Sequence, residues 1–281
     1  MIYTISNEYL ILKINTFAAE IDSLKKVNDN NEIMWQGSKE YWTGRNPILF
    51  PQVGNMWAKE YQAKNKTYSM GNHGFTRRSE FTLVQLTNNT VTLLLKDNEE
   101  TYLQYPYHFE LYVTYELINS KVNIKYTIYN KDEEIMPFGF GLHPGFNVPI
   151  GASTFNNTYI EFSDNEYQNN DSGKYIVDNK IKLDYKMFKD VKYNALIYKD
   201  INSEYVILNQ KDYNIKVGCK DFNYLAFWTV DNAPFICIEP WDSIGDLEES
   251  NIPFEKREGM INLDVNNDYN KEYYIEILEE K

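Results

Sequence analysis

Three short patches carry side chains whose types and spacing could do acid/base chemistry. They are Asn72-His73-Gly74-Phe75-Thr76-Arg77, Gly141-Leu142-His143-Pro144-Gly145-Phe146 and Ile236-Cys237-Ile238-Glu239-Pro240-Trp241. The chain has only three histidines, and two of them lie in these patches beside glycine or proline. Glycine and proline favour sharp turns, where a side chain is presented to a cleft instead of being packed away. A histidine and a glutamate brought together beside a tryptophan would make an acid/base pair on an aromatic platform, a combination suited to a sugar ring.

Each candidate also has a plainer reading. His143 precedes Pro144-Gly145 at the end of a strand, and it serves there either as a catalytic group or as a cap on the turn. Glu239 ends the apolar run Ala233 to Ile238. Partial desolvation would raise its pKa toward the range of a general base, although an arginine partner would make it an ordinary strand-end ion pair. Pro240 is expected to stop that strand, leaving Trp241 to offer a ring face. His73 has Arg77 four residues on and Arg78 next to it, so the loop supplies donors for hydroxyls, ring oxygens or phosphate, or is simply solvated. Arg45 precedes Asn46-Pro47-Ile48-Leu49-Phe50-Pro51, whose two prolines should fix an extended loop that aims the arginine inward. His108 is expected to have a structural role on a strand face.

The elements that must position these groups are strands. Tyr9 to Ile14 and Glu20 to Val27 read as a pair, and the Asn28–Asn31 cluster as a turn. Phe81 to Leu86 and Thr90 to Leu95 flank Asn88-Asn89, and Leu111 to Leu117 and Val122 to Tyr129 flank Asn119-Ser120; both are hairpin signals. Val122, Ile124, Tyr126 and Ile128 alternate with more polar or small neighbours, the pattern of a strand with one buried face. Glu134 to Gly141 is expected to run as one strand directly into His143. Tyr205 to Leu208, Tyr213 to Val217, Tyr224 to Thr229, Phe235 to Glu239 and Tyr273 to Leu278 continue the series. Residues 165–178 are polar and read as a long surface loop, and 38–42 as a short turn. No linker or internal repeat interrupts this, so the expected architecture is all-β, one large antiparallel sandwich spanning residues 1–281.

Composition narrows the function. With Lys+Arg 28 against Asp+Glu 41, the net charge of −13 argues against a nucleic-acid partner and against docking on anionic membranes. A small phosphorylated ligand stays possible, because two local arginines can hold one phosphate. No run approaches membrane-spanning length, and the first residues lack the basic start and apolar stretch of a signal peptide, so a cytoplasmic protein is expected. Cys219 and Cys237 suggest two free buried thiols. The histidines lack HExxH spacing, so no metal site is expected. There is no GxSxG elbow and no phosphate-binding loop.

Taken together and in order, the patches resemble the aldose 1-epimerase (galactose mutarotase-like) family, in particular its LacX-like branch, and are similar also to hexose-6-phosphate mutarotases. The residues that carry the resemblance are Arg45 to Pro51, His73-Gly74-Phe75-Thr76-Arg77, Tyr105-Pro106-Tyr107-His108-Phe109, Leu142-His143-Pro144-Gly145-Phe146 and Glu239-Pro240-Trp241. The resemblance implies a β-supersandwich (the galactose mutarotase-like fold) and an isomerase of carbohydrate metabolism that needs no cofactor. The partner it implies is a small-molecule sugar or sugar phosphate, and a monomer or homodimer is expected. It implies His143 as general acid and Glu239 as general base, with His73, Arg77, Arg45 and Trp241 contacting substrate. Two positions depart from the pattern: Asn55 follows Gly54 where relatives commonly have arginine, and Thr76 stands where they tend to have alanine. The first bears on the sugar or phosphate preference. The alternatives are a non-catalytic sugar-binding sensor on the same fold, and a glycosidase or lyase using Glu239 with Asp242 and Asp246 as paired carboxylates.

Overall fold

Alternation along the two longest hairpin strands decides which face is buried. In the Phe109–Ile118 and Lys121–Asn130 strands, Leu111, Val113, Tyr115 and Leu117 and their partners Val122, Ile124, Tyr126 and Ile128 are all buried. Asn119, in the left-handed region at φ 52°, closes the turn between them. These strands lie inside an antiparallel nine-stranded sheet. It runs in the order Lys180–Lys182, Tyr159–Phe162, Tyr205–Asn209, Asn214–Gly218, Asp268–Leu278, Lys121–Asn130, Phe109–Ile118, Thr90–Lys96 and Thr82–Leu86. The computed structural model describes residues 1–168 and 170–278. Residue 169, inside the expected 165–178 loop, and residues 279–281 lie outside the described part.

A six-stranded sheet packs over the apolar face of the first. Ala195–Lys199, Tyr224–Trp228, Phe235–Trp241, Gly141–Leu142 and Ile48–Leu49 follow one another, and Gly145–Asn147 also pairs with Phe235–Trp241. The interior between the layers is rich in rings. Phe50 meets Phe75, Tyr105, Phe109 and Phe138 edge-on or tilted, and Phe140 meets Tyr126 and Tyr269. Burying this much aromatic surface is the main stabilising contribution of the core. The architecture is the all-β antiparallel sandwich expected from the strand pattern.

Two local expectations are corrected. The Glu134 to Gly141 segment is not one strand. Met136–Phe138 pairs with Ile261–Leu263, and Gly141–Leu142 joins the six-stranded sheet. Between them Gly139 donates its N–H to the Pro51 carbonyl at 2.7 Å as the chain crosses between sheets. Nor does Pro240 stop its strand, which continues to Trp241. On one edge Ile238 N–H bonds the Pro144 carbonyl and Asp242 N–H bonds the Phe140 carbonyl. Pro240 lies between them on that edge, opposite the break separating Gly141–Leu142 from Gly145–Asn147. No ladder donor is required there, so the missing N–H costs nothing.

Candidate active site

The Phe235–Trp241 strand is buried on both faces. Ile236 and Ile238 point into the main core, whereas Phe235, Cys237 and Trp241 belong to smaller apolar clusters on the opposite face. Parity places Glu239 on that second face. The neighbouring strand sets Ala226 directly across from Glu239, flanked by Trp228 across from Cys237 and Tyr224 across from Trp241. A small residue opposite the carboxylate, with large rings to each side, leaves a hollow over the sheet.

Register also brings His143 to Glu239. On the other edge, Gly141 pairs with Trp241 and Gly145 with Cys237. The residue midway between the two glycines is His143, and midway between their partners is Glu239. The two side chains therefore stand opposite one another on one face, Glu239 from its strand and His143 from the short break between Gly141–Leu142 and Gly145–Asn147. Their nearest atoms, His143 Nε2 and Glu239 Oε2, are 3.3 Å apart. Glycine at 141 is required by this arrangement: a Cβ there would come within 2.7 Å of the Trp241 ring.

A cleft of about 520 Å³ opens above the pair, within the range of small-ligand sites. Loops supply its far wall. His73, in the left-handed region at φ 62°, donates its backbone N–H to the Gly54 carbonyl, and its Nδ1 accepts from Gly54 N–H at 3.0 Å. The proton of a neutral His73 is therefore on Nε2, available to a ligand. Burial and the nearby Arg77 charge push the His73 pKa down to about 4, so it is neutral at physiological pH. Arg77, half-buried in the same wall, makes no ion pair within 4.0 Å among the described residues. Trp42 stacks on His143 with ring centroids 4.8 Å apart, and Trp228 meets it edge-on at 5.5 Å.

Electrostatics at the floor follow from dryness. Glu239 is 1% exposed, and burial pushes its carboxyl well above the usual carboxylate range. Burial, the His73 ring and the Arg77 charge lower the His143 pKa well below its ordinary value. Although 3.3 Å is ion-pair distance, both shifts favour the neutral carboxyl and neutral imidazole in the resting site. The pair is best described as two groups sharing one titrating proton. His143 Nδ1, Glu239 Oε2 and Trp241 Nε1 are buried without a hydrogen-bond partner. Such atoms are rare in a finished interior, and here three of them surround one hollow.

His143, Glu239, His73, Arg77 and Trp241 thus meet in one cleft, as their types suggested. Arg45 does not join them. Its guanidinium pairs with Asp22, and its Nε donates to the Gln36 carbonyl at 2.9 Å. The prolines after it set the backbone path, but a carboxylate 23 positions upstream sets the side chain. Thr76 is buried, and its hydroxyl donates to the Phe50 carbonyl at 2.9 Å, which makes it a tie for the loop and not a wall of the cleft. Asn55 does line the cleft. His108 is exposed and bonded to Asp97, consistent with a structural role, though it lies one residue before the strand. Of the carboxylates considered for a paired-acid mechanism, Asp242 is held by Lys271 and Tyr269, and Asp246 by Arg257. Sequence reasoning missed Trp42 and Trp228. Both sit among few tryptophans, but only the sheet register shows them framing His143.

The chain matches the aldose 1-epimerase family over residues 1–253. It is 32% identical to the chromosomal LacX protein of Lactococcus lactis subsp. lactis over 282 residues, 91% of this chain and 93% of that protein. Among solved structures, a galactose mutarotase related enzyme from Lactobacillus acidophilus has a TM-score of 0.89 and 31% identity, covering 99% of this chain and 98% of that one. A galactose mutarotase-like protein from Lactobacillus casei ATCC 334 has the same TM-score at 27% identity, covering 99% and 100%. No described helix is long and apolar enough to cross a membrane.

Proposed function

Since the chain belongs to the aldose 1-epimerase family, we propose that it is a mutarotase that interconverts the α and β anomers of an aldohexose or its 6-phosphate. The observation that carries this reading is the in-register opposition of His143 and Glu239 beneath a cleft lined by tryptophans. Glu239 takes the proton of the anomeric hydroxyl while His143 protonates the ring oxygen. The C1–O5 bond breaks to give the open aldehyde, the C1–C2 bond rotates, and closure on the other carbonyl face returns both protons. The 3.3 Å separation of His143 Nε2 and Glu239 Oε2 supports these roles, because a small adjustment lets a proton pass from the carboxyl to the imidazole and convert the neutral resting pair into the carboxylate and imidazolium that the reaction uses. Positioned proton transfer of this kind is worth roughly 10² to 10⁴ in rate.

His73 Nε2–H and Arg77 are the donors placed to hold hydroxyls or a phosphate. Trp42 and Trp228 fix the His143 ring, and Trp241 walls the cleft beside Glu239. The test is anomer interconversion followed by polarimetry or proton NMR, using freshly dissolved α-galactose, α-glucose and the anomers of glucose 6-phosphate. Acceleration beyond the spontaneous rate is expected, and the fastest sugar names the substrate. Binding of a sugar with no acceleration would identify a sensor instead.

A further inference from the structure

Cys237 takes no part in the chemistry above, yet it lies two residues before Glu239 on the same face of one strand, diagonal to His143 in the adjoining break between Leu142 and Gly145. The ligating atoms of His143, Cys237 and Glu239 all lie within 4.8 Å of one another. We infer that this trio is a binding site for a thiophilic divalent cation of the Zn²⁺ class, and that the cation shuts the cleft off.

The geometry fits such an ion. Zn²⁺ bonds nitrogen and oxygen at about 2.0–2.2 Å, so two such ligands in tetrahedral array lie about 3.4 Å apart. His143 Nε2 and Glu239 Oε2 are 3.3 Å apart. They are close without forming a hydrogen bond, for Oε2, fully buried, has no such partner. The thiol, at most 4.8 Å away, needs a shift of about 1 Å to complete the third position at a Zn–S bond of about 2.3 Å. A thiolate, an imidazole and a carboxylate select Zn²⁺ or Co²⁺ over Mg²⁺ or Ca²⁺, which prefer oxygen ligands only. The fourth position faces the cleft, through which the ion enters, since His143 and Glu239 line it. As the ion binds, the thiol proton and the proton held by the Glu239 carboxyl both leave to solvent, and the metal keeps its charge state. With both lone pairs coordinated, neither His143 nor Glu239 can exchange a proton with a sugar.

Binding of the ion stands on this geometry alone, whereas inhibition also rests on the mutarotase reading. Two measurements keep them apart. Co²⁺ is titrated into the protein as purified and freed of metal by chelator, and binding is followed by calorimetry and by thiolate-to-cobalt absorption. The expected result is one ion per chain, with the charge-transfer band present in wild type and in Cys219→Ala. Cys219 is the other thiol, held against the Ser203 carbonyl. The band should vanish in Cys237→Ala and in Cys237→Ser, with affinity lowered at least about tenfold. The serine variant fills the same volume if the alanine variant fails to fold. In the second measurement, Zn²⁺ should abolish wild-type interconversion of α-galactose, chelator should restore it, Mg²⁺ should do nothing, and Cys237→Ala should resist. Absence of the band in folded wild type, or equal binding by the Cys237 variants, overturns the site. A band in a protein with no turnover to inhibit leaves the site standing and removes the mutarotase reading.

Discussion

Glu239→Gln tests the proposed chemistry most directly, because it changes the ionisation of the side chain and almost nothing of its shape. Glutamine retains the volume that fits beside Trp241 and across from Ala226, but it cannot accept the anomeric proton. General-base catalysis by a positioned group contributes roughly 10² to 10⁴. The upper half of that span is expected here, about 10³ to 10⁴, or about 4–5 kcal/mol of barrier. The reason is that, among the described residues, the carboxylates nearest the pair are engaged elsewhere: Asp242 is tied to Lys271, and Asp246 to Arg257. Stability should move in the opposite direction. Burial makes Glu239 hold its proton more tightly when folded than when unfolded. Ionising it therefore costs folding stability, a cost that is absent below the ordinary carboxylate pKa and grows as pH rises above it. A neutral glutamine never bears that cost, so the variant should melt higher than wild type at neutral pH, and the two should converge toward pH 4. The assay is the decay of optical rotation of fresh α-galactose, corrected for the spontaneous rate, beside thermal melts across pH. Near-wild-type turnover in the variant would refute Glu239 as the base. A lower melting temperature at neutral pH would refute the account of its burial.

Other outcomes follow from the same geometry. The pH profile of kcat/KM should be a broad bell: the acid limb, where His143 takes up a second proton, belongs below the ordinary histidine value of about 6.5, and the alkaline limb, where Glu239 loses the last one, well above the ordinary carboxylate range. An acid limb above pH 7 would contradict the burial of His143. Arg77→Ala should raise KM with little change in kcat, and a loss specific to glucose 6-phosphate in paired kinetics would assign it to the phosphate. Arg45→Ala should leave both constants within about twofold while costing roughly 1 kcal/mol in denaturant melts, since its partner is Asp22. Thr76→Ala should likewise spare KM and cost about 1 kcal/mol, the worth of its bond to the Phe50 carbonyl.

Much of the fold was legible because its strands declare themselves by period. Val122, Ile124, Tyr126 and Ile128 alternate cleanly, and Asn119 marks the turn that returns them to Leu111 through Leu117. The catalytic candidates were legible by type, as a histidine at a proline-glycine turn and a glutamate ending an apolar run. Their opposition was not, because it depends on which residue of Gly141–Asn147 faces which residue of Phe235–Trp241, and register between distant segments leaves no local trace. Trp42 and Trp228 were missed for that reason. Arg45 was misjudged because backbone stiffness was taken to decide where a side chain goes, when a distant carboxylate decided it. Pro240 was misjudged because a proline breaks a ladder only where the ladder needs its N–H, and the gap opposite it is invisible in sequence.

The Phe235–Trp241 strand is buried on both faces, with core on one and the cleft on the other. Amide exchange should consequently rank Glu239 with the slowest-opening part of the molecule, whereas the opposite wall of the cleft, Asn55, Asn72, His73 and Ile244 to Leu247, is made of loops whose amides should exchange faster. On the mutarotase reading, reactivity and selectivity are thus mounted on parts of unequal stiffness. The loops could then be recut for another sugar by insertion or substitution while the His143–Glu239 distance beneath them stays fixed by sheet register.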